Sequence, residues 1–262
     1  RVSRGLGDVY KRQGYVLSEE EIAVTIGKVD EVVEIELVNY FIKGNIALTK
    51  VDEDYPDNKL SGAVFEVYSD TNGDGKLDKD DTLLGEMKEL DGGVYQMSEL
   101  RYGKYLVKET KAPTGFVLDE NVYSVSVEEN GKTYTVENKA GVGFINAAQK
   151  GSLKIVKTSS DGKVEGFSFR VTGVDYDQTF KTDKNGEIVI EGLRIGDYTV
   201  SEVSDKASAG YILPADKQAT VKVDATAIVQ MHNEFRDTPK TGDDFNLGLW
   251  VSLAALSVVG AG

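Results

Sequence analysis

A short pattern recurs three times along the chain: a glycine, an aromatic residue, an aliphatic residue and a leucine. Each copy is followed, within about thirty residues, by an asparagine on a strand-like segment. Between the copies, apolar residues alternate with polar ones over short segments, which is typical of half-buried β-strands. This repeat constrains the chain to tandem β-modules. The copies begin at Gly14, Gly115 and Gly210, and their asparagines are Asn39, Asn146 and Asn233.

In two of the copies, a lysine, a glutamate and the asparagine take positions in phase with core residues. Side chains alternate between the two faces of a strand, so residues two positions apart lie on the same face. Lys50, for example, has the same parity as the apolar Ile46 and Leu48. We therefore predict that six polar residues point into a core. They are Lys50, Glu109 and Asn146 in one copy and Lys157, Glu202 and Asn233 in the next.

A buried lysine, glutamate and asparagine in contact have a specific reactivity. Removal from water disfavours charge, so it lowers the pKa of the lysine and raises the pKa of the glutamate. A neutral amine can attack the asparagine carboxamide carbon while a protonated glutamate polarises the carboxamide oxygen and relays protons. The product is a Lys–Asn isopeptide bond, formed once per module with loss of ammonia. Alternatively, the lysines reach water from strand ends and the asparagines satisfy turn backbone.

Six stretches of the chain resemble the collagen-adhesin B-type (CnaB) domains of Gram-positive pilins and surface adhesins, which are also called prealbumin-like or SpaA-like domains. The resemblance covers residues 14–236. The first complete copy carries LTKVD at 48–52, YGKYLVKETKAPTGF at 102–116 and GFIN at 143–146. The second carries GSLKIVKT at 151–158, GDYTVSE at 196–202 and HNEF at 232–235.

This resemblance implies roles for the two triples. In the family, the matching lysine, acidic residue and asparagine form an intramolecular isopeptide bond. The implied bonds are Lys50–Asn146, assisted by Glu109, and Lys157–Asn233, assisted by Glu202. The second copy has KASAG at 206–210 where the first has the more typical KAPTG at 111–115, so the turn after Glu202 departs from the family pattern.

The predicted fold class is all-β: tandem immunoglobulin-like β-sandwich modules of the CnaB type, followed by a C-terminal hydrophobic helix. Clusters of Gly, Asn and Asp separate the alternating segments. The chain has no cysteine, so a small exported β-domain would need a covalent staple other than a disulfide. The predicted divisions are 14–43, the closing part of a truncated module; 44–147 and 148–236, two complete modules; and 237–262, a sorting signal with a truncated transmembrane segment.

A motif near the C-terminus resembles the cell-wall sorting signal that sortases cleave. It stands before an apolar run, and the resemblance implies cleavage between Thr241 and Gly242, with transfer of the threonine carbonyl to an amine on peptidoglycan or another pilin. The apolar stretch 247–262 is shorter than the ~20 residues of a membrane-spanning helix, which we interpret as truncation; the alternative is a buried core helix. The motif residues are Thr238, where the family usually has leucine, Pro239, Lys240, Thr241 and Gly242.

The N-terminal residues do not have the sequence pattern of a module. Residues 8–13 (DVYKRQ) resemble the translation of a transposase adapter used in sequencing libraries. We therefore interpret residues 1–13 as a sequencing artefact and exclude them from the fold. In residues 14–43, Asn39 then has no lysine to pair with.

An acidic segment within the first module has the spacing of a calcium loop. Its oxygen donors occupy positions 1, 3, 5, 9 and 12, with Gly75 at the sixth position, where the chain must turn sharply. The last position is aspartate instead of the usual bidentate glutamate, which predicts a weak site or a shift toward magnesium. The alternative is a solvated hairpin tip. The predicted ligands are Asp70, Asn72, Asp74, Lys76 through its carbonyl, Asp78 and Asp81.

Charge and composition exclude several function classes. The net charge of −14 argues against binding to nucleic acid or to anionic membranes, since both require a cationic surface. One histidine, His232, and no cysteine nearly exclude zinc sites and histidine-based catalytic triads. The isopeptide reaction requires no cofactor and turns over once, so the chain is not predicted to be an enzyme.

These observations predict a cell-surface, wall-anchored structural protein of a Gram-positive bacterium: a pilin or stalk subunit stiffened by isopeptide bonds. Its expected partners are a sortase and peptidoglycan or other pilin subunits, with transient membrane retention by the C-terminal segment. Two alternatives stay open. The modules are the spacer of an adhesin whose missing N-terminal region binds a host or matrix ligand, or of a wall-anchored enzyme that has lost its catalytic domain.

Overall fold

The computed structural model describes residues 14–18, 21–28, 30 and 32–236, which form β-strands joined by turns. Within these residues no helix has the length and apolar character needed to span a bilayer. The predicted artefact at residues 1–13, the sorting motif at 238–242 and the C-terminal hydrophobic helix lie outside the described residues.

The chain divides into two compact units between Lys150 and Gly151. The sequence places this boundary three positions earlier, after residue 147. In the structure Ala148 forms a β-bridge with Phe116, and the Gln149 N–H donates to the Gly115 carbonyl at 2.8 Å. These contacts keep Ala148 and Gln149 with the first module.

The first module contains nine strands arranged in two sheets. One sheet has the order β4-β5-β1-β8, with β9 also pairing with β1, and the other has the order β3-β2-β6-β7. The strands are β1 (Lys43–Asp52), β2 (Val64–Ser69), β3 (Thr82–Glu86), β4 (Lys88–Asp91), β5 (Val94–Arg101), β6 (Gly103–Lys111), β7 (Val122–Val127), β8 (Thr133–Thr135) and β9 (Phe144–Asn146).

The second module repeats this plan with eight strands. Its two sheets have the orders β13-β10-β17-β15 and β12-β11-β14-β16. The strands are β10 (Lys150–Ser159), β11 (Ser168–Gly173), β12 (Tyr176–Lys181), β13 (Glu187–Arg194), β14 (Gly196–Glu202), β15 (Tyr211–Ile212), β16 (Lys217–Val221) and β17 (Thr226–Phe235).

Both cores lie between the two sheets of their module and are built from the alternating residues. Along β1, buried and partly exposed side chains alternate from Gly44 to Lys50, as the sequence parity predicts. In the first core, the ring of Phe65 packs edge-on against Tyr95 and Phe144, with centroid distances of 5.2 and 4.9 Å. Such aromatic pairs stabilise a core beyond the area that they bury.

A shared hydrogen bond shows that the two modules follow one design. Tyr105 donates its hydroxyl to the carbonyl of Arg101 at 2.5 Å, and Tyr198 donates to the carbonyl of Arg194 at 2.9 Å. Each bond closes the turn that leads into the strand carrying the site glutamate, β6 or β14. The tandem repeat read from the sequence is therefore present in three dimensions.

The earliest copy of the repeated pattern differs from the prediction. The repeated pattern predicts that Asn39 lies on the buried side of a strand, whereas the structure leaves it exposed. Between residues 14 and 42, the described residues form a β-bridge from Tyr15 to Phe41 but no strand. Among these residues no second sheet covers the segment, so Asn39 has no core to enter.

Candidate functional site

Each module places its lysine and asparagine on neighbouring parallel strands at the same offset. In the register of β1 and β9, Lys50 lies opposite Phe144, two positions before Asn146. In the register of β10 and β17, Lys157 lies opposite Met231, again two positions before Asn233. Strand spacing and rise put such diagonal neighbours about 8 Å apart at Cα and on one face, within reach of a lysine side chain.

The glutamate of each module comes from the facing sheet, on β6 or β14. The first triple is fully enclosed: Lys50 and Glu109 are 0% exposed and Asn146 is 3% exposed. In the second, Lys157 and Asn233 are buried and Glu202 is half-buried. The structure thus brings together all six residues that parity selected, three in each core.

Hydrogen bonds in the first triple join the asparagine to the glutamate. Asn146 Nδ2 donates to both carboxyl oxygens of Glu109, at 3.0 and 2.9 Å. Lys50 Nζ donates to the Phe144 carbonyl at 3.0 Å, on the strand that carries Asn146. The ammonium also lies 5.4 Å from the centroid of the Phe144 ring.

Burial shifts both ionisable groups of this triple toward their neutral forms. Desolvation lowers the pKa of Lys50 to about 8, although the nearby carboxylates of Glu109 and Asp119 oppose the shift. Desolvation likewise raises the pKa of Glu109, although the hydrogen bonds from Asp119 and Asn146 oppose it. Both shifts are in the direction that the reaction requires, toward a neutral amine and a neutral carboxylic acid.

The second triple keeps the hydrogen bond from asparagine to glutamate in a less enclosed setting, but its lysine bonds to a carbonyl of its own strand. Asn233 Nδ2 donates to Glu202 Oε1 at 2.7 Å. Lys157 Nζ donates to the Thr158 carbonyl and lies 4.1 Å from the centroid of the Phe167 ring. Burial lowers the pKa of Lys157 and raises that of Glu202. The pKa shifts of the lysine and the glutamate therefore have the same directions in both modules.

The carboxamide orientation differs from the one expected from sequence. A protonated glutamate should donate to the carboxamide oxygen, yet in both modules the carboxamide nitrogen faces the glutamate. Asn146 Oδ1 and Asn233 Oδ1 have no hydrogen-bond partner among the described residues, and Glu202 Oε2 has none either. An unpaired buried acceptor costs about 1–3 kcal/mol. A half-turn of the carboxamide against a protonated glutamate would satisfy the oxygen.

Sequence reasoning does not identify three residues that surround the first triple: Asp119, Tyr123 and Asn138. Burial alone would raise the pKa of Asp119, but hydrogen bonds from Tyr123 and Asn138 outweigh burial and lower it. All three residues line a cleft of about 360 Å³ that borders Asn146. Asp119 directly follows the repeated pattern at 115–118, which is a usable signal, whereas Asn138 lies in a segment without periodicity.

The predicted calcium loop folds around its own side chains. Asp70 is buried, and its two carboxyl oxygens accept the N–H groups of Gly73 and Gly75 at 2.7 and 3.1 Å. Both glycines have positive φ, 74° and 76°, which lets the chain turn tightly. Asp81 accepts from the backbone of Thr71 and Asp78.

The remaining predicted ligands hold the loop in a similar way. Asn72 Oδ1 accepts the Asp74 N–H at 3.0 Å, and Asp74 Oδ1 accepts the Lys76 N–H at 2.8 Å. Asn72 Nδ2 donates to Asp78 at 3.2 Å. Across the described residues, no three carboxylate or imidazole side chains are grouped to hold a metal ion. The donors are all oxygens, as calcium prefers, but binding requires the loop to tighten around the ion.

Comparison with known proteins identifies the modules. Residues 44–140 and 151–235 match the model of the SpaA prealbumin-like fold domain. The chain belongs to this family. The family and the all-β tandem fold predicted from sequence are thereby confirmed.

Among solved structures, the chain is similar to the Bacillus anthracis TIE protein, with 25% identity and a TM-score of 0.64. That match covers 86% of this chain and 39% of the other, so the chain spans well under half of that protein. It is also similar to GBS52, the minor pilin of Streptococcus agalactiae (17% identity, TM-score 0.34, covering 75% and 98%). A third similarity is to the pilus adhesin SpaC of Lactobacillus rhamnosus GG (14%, TM-score 0.46, covering 76% and 32%). No curated protein sequence matches the chain.

We predict that Lys50 titrates at about 8 in the folded Asn146→Ala variant, which cannot form the bond, because burial penalises its ammonium form. Between that value and the ordinary 10.5, the unfolded chain binds more protons, so the free energy of unfolding should rise with pH. A pH titration of the Lys50 Cε resonance by carbon-13 NMR measures the midpoint of this ionisation. The resonance is assigned by its absence from the spectrum of Lys50→Arg. In denaturant the midpoint should return to the ordinary lysine pKa of 10.5. A native midpoint already at that value would contradict the prediction.

Proposed function

We propose that this chain belongs to a structural surface protein of a Gram-positive bacterium, a pilin or stalk subunit, whose modules are each closed by a Lys–Asn isopeptide bond. The observation that carries the proposal is the repetition of one arrangement in two modules. Both bury a lysine and an asparagine at the same register, on parallel strands, beneath a glutamate from the facing sheet. A surface protein that needs a covalent staple but has no cysteine gains one in this way.

The bond forms by attack of the neutral Lys50 amine on Cγ of Asn146. A C–N bond forms, the bond from Cγ to the carboxamide nitrogen breaks, and ammonia leaves with the proton released by the amine. Glu109 polarises the carboxamide oxygen with its own proton, takes up the proton that the amine releases and passes one proton to the departing nitrogen, so it ends protonated as it began. Lys157, Glu202 and Asn233 carry out the same steps in the second module. Each site reacts once, so the protein consumes no external substrate.

Each bond changes the stability and the mechanics of its module. By the chain-entropy argument used for disulfides, closing a loop of about 100 residues stabilises a fold by roughly 4–5 kcal/mol. The bond also joins the opening strand to the closing strand near their C-terminal ends. A pulling force then passes along β1 to Lys50 and directly to Asn146, without unfolding the strands between them. This resistance to unfolding under tension suits the shaft of a pilin or stalk.

We also propose that sortase attaches the protein through residues 238–242. The supporting observations are the TPKTG sequence and the apolar run that follows it. Cleavage between Thr241 and Gly242 would transfer the Thr241 carbonyl to an amine on peptidoglycan or on another pilin subunit. This places the protein on the cell surface, anchored to the wall.

We predict that the purified chain weighs two ammonia molecules less than its unmodified formula. Glu109→Gln and Glu202→Gln should each restore one ammonia, because each removes the proton donor of one site while keeping its shape. Intact-mass spectrometry measures the deficit, and tandem mass spectrometry of the joined peptides locates it. Glu66→Gln, the same chemical change on the neighbouring strand β2, should leave the mass deficit at two ammonia molecules. An unmodified mass for the parent chain would refute the isopeptide proposal.

Wall attachment is tested in cells that produce the protein. Antibodies against residues 44–236 should detect a high-mass ladder in cell-wall extracts on denaturing gels. Thr241→Ala should remove the ladder from the cell-wall extract, because the sortase can no longer form its acyl intermediate, while Thr226→Ala at the exposed start of β17 should not. A single wall-bound band would favour the adhesin spacer over the pilin, and a parent protein found in the medium alone would refute anchoring.

We propose calcium binding at residues 70–81 on the oxygen spacing and on the tight turns at Gly73 and Gly75. Titration calorimetry should detect Ca²⁺ binding with a Kd on the order of 10⁻⁴ to 10⁻³ M, the range of extracellular modules. Asp70→Ala and Asp74→Ala should abolish the heat. Asp183→Ala, in an acidic turn of the second module, should preserve it. Heat that survives both loop variants, or a parent chain that gives none, would rule out this site.

A further inference from the structure

The two asparagines of the proposed bonds are carried by very different strands. Asn233 lies on the ten-residue strand β17, which pairs with β10 at eight successive positions. Asn146 lies on the three-residue strand β9, which pairs with β1 at three positions. A strand with so few ladder bonds needs other contacts to keep its last residue in place.

Asn138 supplies such contacts through its side chain. Its Oδ1 accepts the backbone N–H of Ile145 at 2.6 Å, and its Nδ2 donates to the carbonyl of the same residue at 2.8 Å. This pair of bonds to one residue is the pattern that an antiparallel neighbouring strand provides. Ile145 directly precedes Asn146. The side chain of Asn138 therefore acts as a substitute strand beside β9.

The same side chain also connects β9 to the glutamate. Asn138 Nδ2 donates to Asp119 Oδ2 at 2.9 Å, and Tyr123 donates to that oxygen at 2.7 Å. The backbone N–H of Asp119 in turn donates to Glu109 Oε2 at 2.8 Å. One continuous network thus runs from the backbone beside Asn146 to the carboxyl group that faces it.

We infer that Asn138 is a positioning residue for the bond between Lys50 and Asn146, acting together with Asp119. This inference rests on the proposed function. Asn138 fixes the backbone of β9 on one side, while Asp119 fixes Glu109 on the other. Both reacting groups are then held against each other before Lys50 attacks. Neither residue contacts the reacting carbon, so neither is catalytic in the strict sense.

The second module lacks a matching network among its described residues. Glu202 Oε1 accepts from Asn233, whereas Glu202 Oε2 has no hydrogen-bond partner in that part of the chain. Asn233 is held instead by the long ladder of β17. The Lys50–Asn146 bond therefore depends on the network, whereas the Lys157–Asn233 bond does not. The Lys157–Asn233 bond serves as an internal control in the same protein.

Asn138→Asp in the full chain tests the inference, because it keeps the size of the side chain but replaces its donor with a carboxylate oxygen. This oxygen repels both Asp119 and the Ile145 carbonyl. Misplacement by about 1 Å can slow a reaction 10²-fold, so the Lys50–Asn146 bond should form roughly 10- to 100-fold more slowly. The Lys157–Asn233 bond should form at the parent rate. The chain is made by cell-free synthesis, sampled over time, and its two joined peptides are quantified by mass spectrometry.

A second measurement separates positioning from a general loss of structure. In the Glu109→Gln background, where the first bond cannot form, Asn138→Asp should speed hydrogen exchange at the Ile145 amide, as observed by NMR. The Val107 amide, in the core strand β6, should keep its protection. Asn130→Asp, the same chemical change in a loop of the same module, should alter neither the rates nor the exchange.

The outcomes distinguish the inference from the function on which it rests. If Asn138→Asp forms the first bond at the parent rate, the inference fails and the proposed function stands. If Asn138→Asp slows both bonds, or exposes Val107 as well as Ile145, Asn138 has only a structural role and the inference again fails. If the parent chain forms neither bond, the proposed function itself fails.

Discussion

The two modules depend on one interaction: the burial of a lysine against a glutamate in an apolar core. Leaving a charge in such a core is costly unless the charge is neutralised or paired. Burial therefore lowers the pKa of Lys50 and raises that of Glu109, and the same shifts occur at Lys157 and Glu202. The packing that stabilises the sandwich thus also prepares the amine and the acid for reaction. The stability of the fold and the reactivity of the site therefore both originate from burial in the core.

The sequence could predict the fold and the positions of the six polar residues because strand parity is a strict geometric rule. Lys50 has the parity of the core residues on its own strand, and so does Asn146 on its strand, whatever the path of the loops between them. Asn138 was not predictable, since its contacts with Ile145 depend on the path of an irregular segment. The orientation of the Asn146 carboxamide was hidden for a similar reason, because it depends on local hydrogen bonds. Asn39 shows the limit of the repeated pattern, which does not supply the sheet that would cover the residue.

The modules also show that one triple can be supported in two ways. In the second module a long strand holds Asn233, and Glu202 is half-buried with one bonded oxygen. In the first module a short strand holds Asn146, and a side-chain network completes the support. The cleft beside this network borders Asn146 and is not lined by Lys50.

The register of β1 and β9 has a consequence for damage by proteases. The exposed loops of the first module, including the acidic loop at 70–81 and the turn at 128–133, all lie between Lys50 and Asn146 in the chain. Once those two residues are joined, a cut in any of these loops leaves both fragments attached to each other. A nicked module would remain a continuous covalent filament, so survival outside the cell would not depend on keeping every peptide bond intact.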